Sequence, residues 1–550
     1  MSRAIHFFQA AENITDRRKS ILKVIPRSTL MVIILLSLAG MITIAFSTRW
    51  GPWAFSDSTT YIVSARSLLQ GEGLGVAAHP GSVERLTHHP PLYPLVLSAI
   101  GLTGIELLDA ARWLNVVLFG GIIFATGAFT YRLLRSSWLA ISLSALLIII
   151  PPLVDIFSGA MSEPLFLVFS LVGTFLLLIF LESQQHHTLI LAALAAGLAF
   201  LTRYSGVFAL ASGLIVLLLL SRSPWKKRVQ DLTLFGLVSI APNAAWWLYV
   251  YLSTATYAAR QVVSRADLGS VLIELRLLLV EVFWSWLPFT QNAGYSYNFA
   301  LKVWIITGLL CLIPLGLVGW KWKQDRQAMR DCRPETNFFA TWCIFSLAYL
   351  VILTYAYLFT TPVPDVDQRM LLPAQIGLLI AMLSAARLVL KGLRIPAWGS
   401  LGVLALVLVI LLANLPSSFR LVREYTLRGG GYTGIAWQQS NTLEALSQLP
   451  VETPLITNQA SAVLLWTDRP AYDFCDLPCN PSADMRYGDN PDDETQRIFR
   501  EQGAALVLFY PFCASRAEPW NLEWLAQVEA LTRDLTVYEY SCDGAIYFYP

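Results

Sequence analysis

The sequence is poor in charge, and it has no basic or acidic tract that would suit a nucleic acid. Only 14% of its 550 residues are charged, whereas soluble proteins carry roughly 25%. Hydrophobic residues make up 55%, and the formal net charge is only +2. These shortages exclude an ordinary soluble protein and indicate that most of the chain lies in lipid. Clusters of Lys and Arg are therefore interpreted as signals of membrane orientation.

The sequence pattern predicts no cleavable signal sequence. Its first 28 residues are charged, and no small-residue cleavage site of the A-x-A type follows them. We expect residues 1–28 to form a cytoplasmic leader ahead of the first membrane helix.

Long apolar runs define the membrane part. A span needs about 17–25 apolar residues, and we predict eleven spans, of which the two short ones at 188–203 and 205–221 share the hinge "TRYSG". The spans are 29–46, 109–131, 138–154, 162–181, 188–203, 205–221, 232–252, 302–320, 337–358, 370–390 and 397–415.

Lys and Arg are enriched in alternate connecting segments, which predicts the orientation. With a cytoplasmic N-terminus, the basic segments near 222–228 and 321–333 lie inside, and an odd number of spans places the C-terminus outside. The sequence therefore predicts a polytopic α-helical protein of the plasma membrane, with a transmembrane domain at 29–415 and a first outer loop at 47–108. Residues 416–550 are predicted to form an extracytoplasmic α/β domain, with helices over 433–449, 459–468 and 522–535, strands over 453–458 and 504–510, and a terminal hairpin over 536–549.

Cysteine is scarce in the spans but not in this C-terminal domain, which holds four of the seven cysteines. An even number in an oxidising compartment predicts two disulfides. Three pairings are open, and free thiols or a zinc site are the alternatives. The four candidates are Cys475, Cys479, Cys513 and Cys542.

Several polar side chains are predicted to meet at the outer ends of the spans. Asp57 follows the first span and begins the amphipathic stretch "STTYIVSARSLL", which we predict to be a helix with Ser58 or Asp57 as its N-cap. Glu163 and Arg203 are placed on the same side, as is Arg369 at the start of a late span. A transporter places such groups near the bilayer midplane, whereas groups gathered at one rim suit an enzyme at the interface.

The motifs at these positions resemble those of the GT-C membrane glycosyltransferases. An aspartate after the first span, a Tyr four residues later, "HHPPLYPL" in the first loop, "GAMSEPLFLVFSLVG" and "DVDQRMLLPAQIGLLIA" follow the pattern of the protein mannosyltransferase and aminoarabinose transferase-like group. Met370 stands where this group usually has Tyr. The resemblance covers roughly residues 30 to 390.

The resemblance implies a sugar transferase that uses a polyprenyl-phosphate carrier and inverts the anomeric centre. A hexosyl or pentosyl group passes to a glycan, lipid or protein acceptor outside the cytoplasm. Asp57 would be the general base, with an N-cap or interfacial acid as the alternative. A lipid-linked sugar transporter or flippase and a non-catalytic assembly factor remain alternatives for the whole protein. Neither the sugar nor the acceptor can be inferred.

Cationic and hydrogen-bonding groups would hold the carrier phosphate. Arg369 is the first candidate, with a snorkelling anchor or an ion pair to Asp365 or Asp367 as the alternative. Arg203 is the second candidate, with a structural ion pair to Glu163 or Asp155 as its alternative. Substrate contacts are also predicted for the side chains of Tyr61, Glu163, His88, His89 and Tyr204.

Metal binding is a minor hypothesis for the first loop. Glu84, His88 and His89 carry ligand-type side chains, but their spacing fits no recognised metal pattern. No cofactor is firmly predicted, and a divalent metal stays open.

Overall fold

The computed structural model describes residues 25–79, 82–254, 261–262, 268–287, 296–324, 332–361, 363–364, 366–396, 398–474, 493–510 and 532–550. In these residues the chain forms a bundle of apolar helices that is followed by a small α/β unit. The structure confirms the predicted fold class of a helical membrane protein with a C-terminal α/β region.

Long apolar helices alternate with a folded first loop in the N-terminal half. The elements are α1 (Arg27–Ser47), α2 (Ser56–Leu69), β1 (Gly75–His79), β2 (Ser82–Arg85), α3 (Leu92–Gly101), α4 (Leu107–Leu134), α5 (Ser137–Ile149), α6 (Pro151–Phe157), α7 (Glu163–Ser183), α8 (His186–Thr202), α9 (Val207–Leu220) and α10 (Trp225–Thr254). Helices α2 and α3 of the first loop agree with the sequence prediction. The antiparallel hairpin β1–β2 between them was not predicted.

The second half completes the bundle. Its elements are β3 (Gln261–Val262), α11 (Leu268–Ser285), α12 (Tyr297–Gln324), α13 (Arg333–Phe359), β4 (Thr360–Thr361), α14 (Gln368–Gly392) and α15 (Trp398–Arg428). The two short strands β3 and β4 pair with each other. Helix α11 is an additional helix in a segment that was predicted to be an outer loop.

Each of the eleven predicted spans coincides with a helix or with the α5–α6 pair. Among the described residues, seven helices are long and apolar enough to cross a membrane, or eight if α5 and α6 form one bent span. Helices α8 and α9 have 17 and 14 residues, so each is short for a hydrocarbon core about 30 Å thick. The two predicted spans at 188–203 and 205–221 are therefore short apolar helices.

Two prolines bend the third predicted span. Pro151 and Pro152 begin α6, and the preceding Ile150 is extended, because proline disfavours a helical residue before it. The axis turns by 65° between α5 and α6. This bend turns the following turn of helix, which carries Asp155, toward the end of the bundle.

A tight turn joins α8 to α9. Arg203 is extended and is followed by one turn of 3-10 helix, Tyr204–Gly206. Gly206 packs directly on the backbone of Ala199 and Phe200, where any Cβ atom would collide with main-chain atoms. Only glycine fits this approach, and the turn it permits presents Arg203 at the end of the bundle.

The C-terminal unit is built on a mixed five-stranded sheet. Its elements are α16 (Ile435–Gln438), α17 (Asn441–Ser447), β5 (Leu455–Thr457), α18 (Ala460–Thr467), β6 (Tyr472–Asp473), α19 (Asp493–Glu501), β7 (Ala505–Phe509), β8 (Thr536–Ser541) and β9 (Gly544–Phe548), with strand order β6-β5-β7-β9-β8. The strand at 455–457, the buried strand at 505–509 and the terminal hairpin were predicted. The single helix expected over 433–449 is instead two short helices, because Ser440 caps α17 by accepting a hydrogen bond from the Leu443 N–H. The helix expected over 522–535 lies mostly outside the described residues.

Helix α15 connects the bundle to the C-terminal unit without a break. It runs from Trp398 to Arg428, so the domain boundary predicted at residue 416 falls within this helix. After it, Gly431 has φ +54° and lies against the backbone of Ala54, where a side chain would collide with the Ala54 carbonyl oxygen. The backbone N–H of Tyr432 donates to that oxygen at 2.8 Å. The C-terminal unit is thereby attached to the segment that leads into α2.

Candidate functional site

A cavity of about 1100 Å³ opens at the end of the bundle where α2, α7, α13 and α14 meet. Seven of the residues that the sequence singled out line it: Asp57, Tyr61, His88, His89, Arg203, Tyr204 and Arg369. Glu163 lies directly behind them and contacts both arginines. Part of the wall is apolar and comes from the end of α13 and the segment after it, through Ile352, Leu353, Ala356, Val363 and Pro364.

Backbone pairing holds the start of α2 beside the start of α7. The Trp53 N–H donates to the Ser158 carbonyl at 2.9 Å, and the Ala160 N–H donates to the Trp53 carbonyl at 2.8 Å. Asp57 stands four residues after Trp53, and Glu163 stands three residues after Ala160. Two acidic side chains about a hundred residues apart in sequence are therefore brought to one cavity.

Asp57 is in the first turn of α2, but it is not the helix cap. The cap position is occupied by Phe55, whose N–H donates to Ser58 Oγ at 3.2 Å. The prediction of an N-cap at Ser58 or Asp57 is therefore wrong. No described residue donates a hydrogen bond to the Asp57 carboxylate, and its charge partner is His89, with Nε2 4.0 Å from Oδ1. The Asp57 side chain is 40% exposed, and it faces the cavity.

Glu163 is a buried carboxylate shared by two arginines. Its Oε1 lies 2.8 Å from Arg203 Nη1 and 3.7 Å from Arg369 Nε. Arg203 therefore forms the ion pair that was its alternative interpretation, and it also lines the cavity. Arg369 Nε is 3.6 Å from Asp367, which is half exposed and caps α14 by accepting from the Met370 N–H.

The guanidinium of Arg369 has unused hydrogen-bonding capacity. Its Nε is buried and finds no hydrogen-bond acceptor among the described residues. A buried donor without a partner is costly, and an oxyanion in the cavity would supply the acceptor. Met370, which stands where the related group has Tyr, contacts Arg203 through its sulfur, 3.4 Å from Nη2.

The remaining predicted residues form the wall beside Asp57. Tyr61 OH lies 3.2 Å from His89 Nδ1 and 3.1 Å from Ser162 Oγ. Burial raises the pKa of Tyr61 and lowers the pKa of His89, so both side chains favour their neutral forms. Tyr204 donates to the Thr87 carbonyl at 3.0 Å and accepts from Trp246 Nε1 at 3.3 Å. These two contacts fix Tyr204 in the wall.

A metal centre was the minor hypothesis for the first loop. Glu84 is exposed on β2 and does not line the cavity, whereas His88 and His89 do. In the part of the chain that the structure describes, no group of three or more His, Cys, Asp or Glu side chains could hold a metal.

Asp155 was expected on this face as a possible partner of Arg203, but not as a site residue. Asp155 lines the cavity and accepts a 2.5 Å hydrogen bond from Tyr425 OH, 270 residues away on α15. Trp53 donates from Nε1 to the Asp155 backbone carbonyl at 2.8 Å. Ser162, which joins Tyr61 to Arg203, was also missed. The Pro-Pro pair before Asp155 was the local signal available, because it marks an interrupted helix.

The predicted disulfides fall largely outside the described residues. Cys542 is disulfide-bonded, while Cys475, Cys479 and Cys513 lie outside the described part of the chain. The pairing stays a prediction. Cys343, in the bundle, is a free thiol.

Residues 88–246 match the family model described as dolichyl-phosphate-mannose-protein mannosyltransferase. No curated protein matches the sequence. The resemblance predicted from the first-loop motifs is confirmed at the level of the fold.

Two solved structures show how far the similarity extends. ArnT from Cupriavidus metallidurans, solved bound to undecaprenyl phosphate, is 15% identical, with a TM-score of 0.52 over 94% of this chain and 97% of that chain. AglB, the archaeal oligosaccharyltransferase from Archaeoglobus fulgidus, was solved with an inhibitory peptide and a dolichol-phosphate. It is 12% identical, with a TM-score of 0.53 over 94% of this chain and 74% of that chain. At these identities the comparison establishes a common fold.

Proposed function

We propose that this protein is a glycosyltransferase that moves a sugar from a polyprenyl-phosphate carrier to an acceptor at the membrane surface. The observation that carries the proposal is the pairing of opposite chemistries in one cavity. The carboxylate of Asp57 lines the same cavity as Arg203 and Arg369. The two arginines share the buried carboxylate of Glu163. Acid at one wall and guanidinium at another suit a reaction in which a hydroxyl loses a proton while a phosphate departs.

The arginines form the donor half of the site. Arg369 is 31% exposed and Arg203 17%, so both can reach a ligand while Glu163 holds them in place. A guanidinium binds phosphate oxygens through several N–H groups at once. As the bond between the sugar and the phosphate breaks, the phosphate gains charge, and fixed donors stabilise that charge most.

The apolar wall suits the lipid part of such a donor. It begins beside Arg369 and continues along α13 through Leu353 and Ala356. An isoprenoid chain requires an apolar surface next to its phosphate, and pockets that bind such ligands are largely apolar with a few placed polar groups. ArnT was solved with undecaprenyl phosphate and AglB with dolichol-phosphate, which supports a carrier of this class.

Asp57 supplies the acceptor half. Its carboxylate would accept the acceptor's proton while the acceptor oxygen attacks the anomeric carbon from the face opposite the phosphate, which inverts that carbon. General base catalysis by a positioned side chain contributes about 10²–10⁴-fold. The distribution of Lys and Arg supports an extracytoplasmic position for this cavity.

The test is a transfer assay with the purified protein in lipid nanodiscs, a panel of radiolabelled polyprenyl-phosphate sugars and a membrane extract as the source of acceptors. We expect label to appear on an acceptor fraction from one donor, with release of the polyprenyl phosphate. A matched assay in sealed liposomes separates the rival function. Movement of the intact donor across the bilayer without bond cleavage would indicate a transporter and would overturn the proposal.

A further inference from the structure

Four side chains connect the arginine half of the cavity to Asp57. Arg203 Nη1 lies 3.2 Å from Ser162 Oγ, which lies 3.1 Å from Tyr61 OH. Tyr61 OH lies 3.2 Å from His89 Nδ1, and His89 Nε2 lies 4.0 Å from Asp57 Oδ1. These residues come from the first loop, the start of α7 and the α8–α9 turn.

The donor chemistry of Arg203 and the distances around Ser162 together set the direction of the bonds in this chain. Arginine has only donors, so Ser162 accepts from Arg203 and its own hydrogen is free for another acceptor. Tyr61 OH, at 3.1 Å, is closer to Ser162 than the Glu163 carboxylate, at 3.5 Å. Tyr61 then donates onward to His89 Nδ1. A histidine that accepts at Nδ1 carries its proton on Nε2, the nitrogen that faces Asp57.

We propose that Ser162 and Tyr61 hold His89 as a neutral Nε2–H donor, and that His89 is the positioning residue of Asp57. The proposal rests on the proposed function of Asp57 as the base. His89 orients the carboxylate through one hydrogen bond and adds no charge to it. The 4.0 Å separation is longer than a hydrogen bond, as catalytic contacts often are before substrate binds.

The neutral state of His89 matters for the base. A cation at this distance would stabilise the ionised carboxylate and reduce its affinity for a proton. Burial lowers the pKa of His89. The neighbouring Arg203 and His88 oppose a proton on the ring, whereas Asp57 and Glu163 favour one. The hydrogen bond from Tyr61 also opposes protonation of the ring, because Nδ1 must stay unprotonated to accept it.

The tautomer can be measured without any activity. The chain has six histidines, so solid-state NMR of the ¹⁵N-histidine-labelled protein in lipid gives a spectrum that single substitutions can assign. His89→Gln identifies the His89 signals, and His187→Gln at the exposed His187 serves as the matched control. At pH 7 we expect a neutral ring with Nε2 protonated and Nδ1 bare. An imidazolium, or the Nδ1–H tautomer, would overturn the proposal.

Kinetics test the positioning role. Tyr61→Phe removes the hydroxyl and keeps the ring, which packs edge-on against Tyr93 at 5.2 Å. We expect kcat to fall about two- to tenfold, the effect of one lost hydrogen bond, with an unchanged KM for the lipid donor. His89→Gln, which keeps a neutral N–H donor, should retain more activity than His89→Ala. Equal losses in these two variants, or a Tyr61→Phe effect on KM alone, would contradict the role of His89 as a donor.

The two experiments also separate this proposal from the proposed function. An enzyme without measurable transfer from any donor would refute the function, and the NMR spectrum would still decide the tautomer of His89. Transfer that proceeds with a protonated His89 would keep the function and overturn the positioning role.

Discussion

The bundle has a buried glutamate at each end, and the two have opposite surroundings. Both stand in the first turn of a helix beside a proline, Glu163 in "SEPL" and Glu335 in "RPET". Glu335 accepts from Lys391 Nζ with both oxygens, at 2.9 and 3.0 Å. Glu163 lies at the wall of the large cavity, where two arginines share one of its oxygens. Equal local sequence signals therefore produce a closed ion pair at one end and an open site at the other.

The difference shows what marks a functional charge in this protein. A buried charge must be compensated, and Glu335 is compensated within the fold by Lys391, with Arg387 Nε 3.9 Å away. One arginine at each end, Arg369 or Arg387, keeps a buried Nε–H without an acceptor among the described residues. The Glu163 end differs because both of its arginines line the large cavity. We infer that the ligand completes the pairing there, and the following experiments compare the two ends directly.

The largest effect is expected from Asp57→Asn. If Asp57 is the base, transfer should fall about 10²–10⁴-fold while binding of the lipid donor is retained. Asp109→Asn is the matched control, because Asp109 is also an exposed aspartate in the first turn of a helix, α4. Equal activity of the two variants in the transfer assay would remove Asp57 from the mechanism.

Arg369→Gln tests the arginines against their counterpart at the closed end. Arg369 and Arg387 both belong to α14, and Arg387 Nε is 3.9 Å from Glu335. Hydrogen bonds to charged groups are worth about 1.5–3 kcal/mol, so kcat/KM for the lipid donor should fall roughly tenfold to 150-fold in Arg369→Gln. Arg387→Gln should leave kcat/KM within about twofold at a temperature where the variant stays folded, because Arg387 does not line the cavity.

Glu163→Gln and Glu335→Gln sharpen the same contrast. The first leaves Arg203 and Arg369 without their shared carboxylate, and misplaced groups reduce catalysis even when they are present. We expect transfer to fall about tenfold, the equivalent of 1.4 kcal/mol, at a temperature where the variant stays folded. The melting temperature should fall as well, because Arg203 loses its buried ion pair. Glu335→Gln should also lower the melting temperature, because its ion pair with Lys391 is lost, but should leave transfer unchanged below that temperature. Thermal denaturation and transfer assays would then show lower stability in both variants and lower transfer only in Glu163→Gln, and an equal loss of transfer in both would contradict the comparison.

The smallest effect of a substitution is expected in the C-terminal unit, at Asp543, whose carboxylate is hydrogen-bonded through both oxygens. It accepts from Ser440 Oγ at 2.5 Å and Ser541 Oγ at 2.6 Å. Burial alone would raise the pKa of Asp543, but these hydrogen bonds outweigh it and the pKa is lowered. Its contribution to stability is therefore present above the ordinary aspartate range and is lost as the pH falls through the lowered value.

Hydrogen–deuterium exchange on the full chain measures this contribution at the β8–β9 hairpin. Protection should fall on acidification in the wild type, and Asp543→Asn should show lower protection at pH 7 and a weaker acid dependence. An unchanged acid dependence in Asp543→Asn would assign the effect to another group.

Much of the site could be predicted from the sequence because its residues stand at the ends of apolar runs. Glu163 and Arg369 stand within two residues of a predicted span end, and Asp57 follows the first span by about ten residues, so the span pattern alone predicts that they lie near one face. The β1–β2 hairpin was missed, because its short strands carry little alternation. The Asp155–Tyr425 contact was missed because nothing local relates residues 270 apart.

The helix cap shows a subtler limit. Ser58 and Asp57 are both good capping residues, and preference alone could not decide between them. The backbone pairing of Trp53 with the 158–160 segment sets where α2 begins, so Phe55 becomes the cap and Asp57 is left facing the cavity.

The sequence by itself determined the helices and the general position of the charges, because in lipid each backbone group must be paired within its own helix. Apolar length therefore encodes a span, and a charge at its end encodes an interface. Only the tertiary structure decided which charges are satisfied. Glu335 pairs with Lys391, while Glu163 pairs with two arginines that line an open cavity. The partners of a carboxylate come from distant helices whose packing no local pattern specifies.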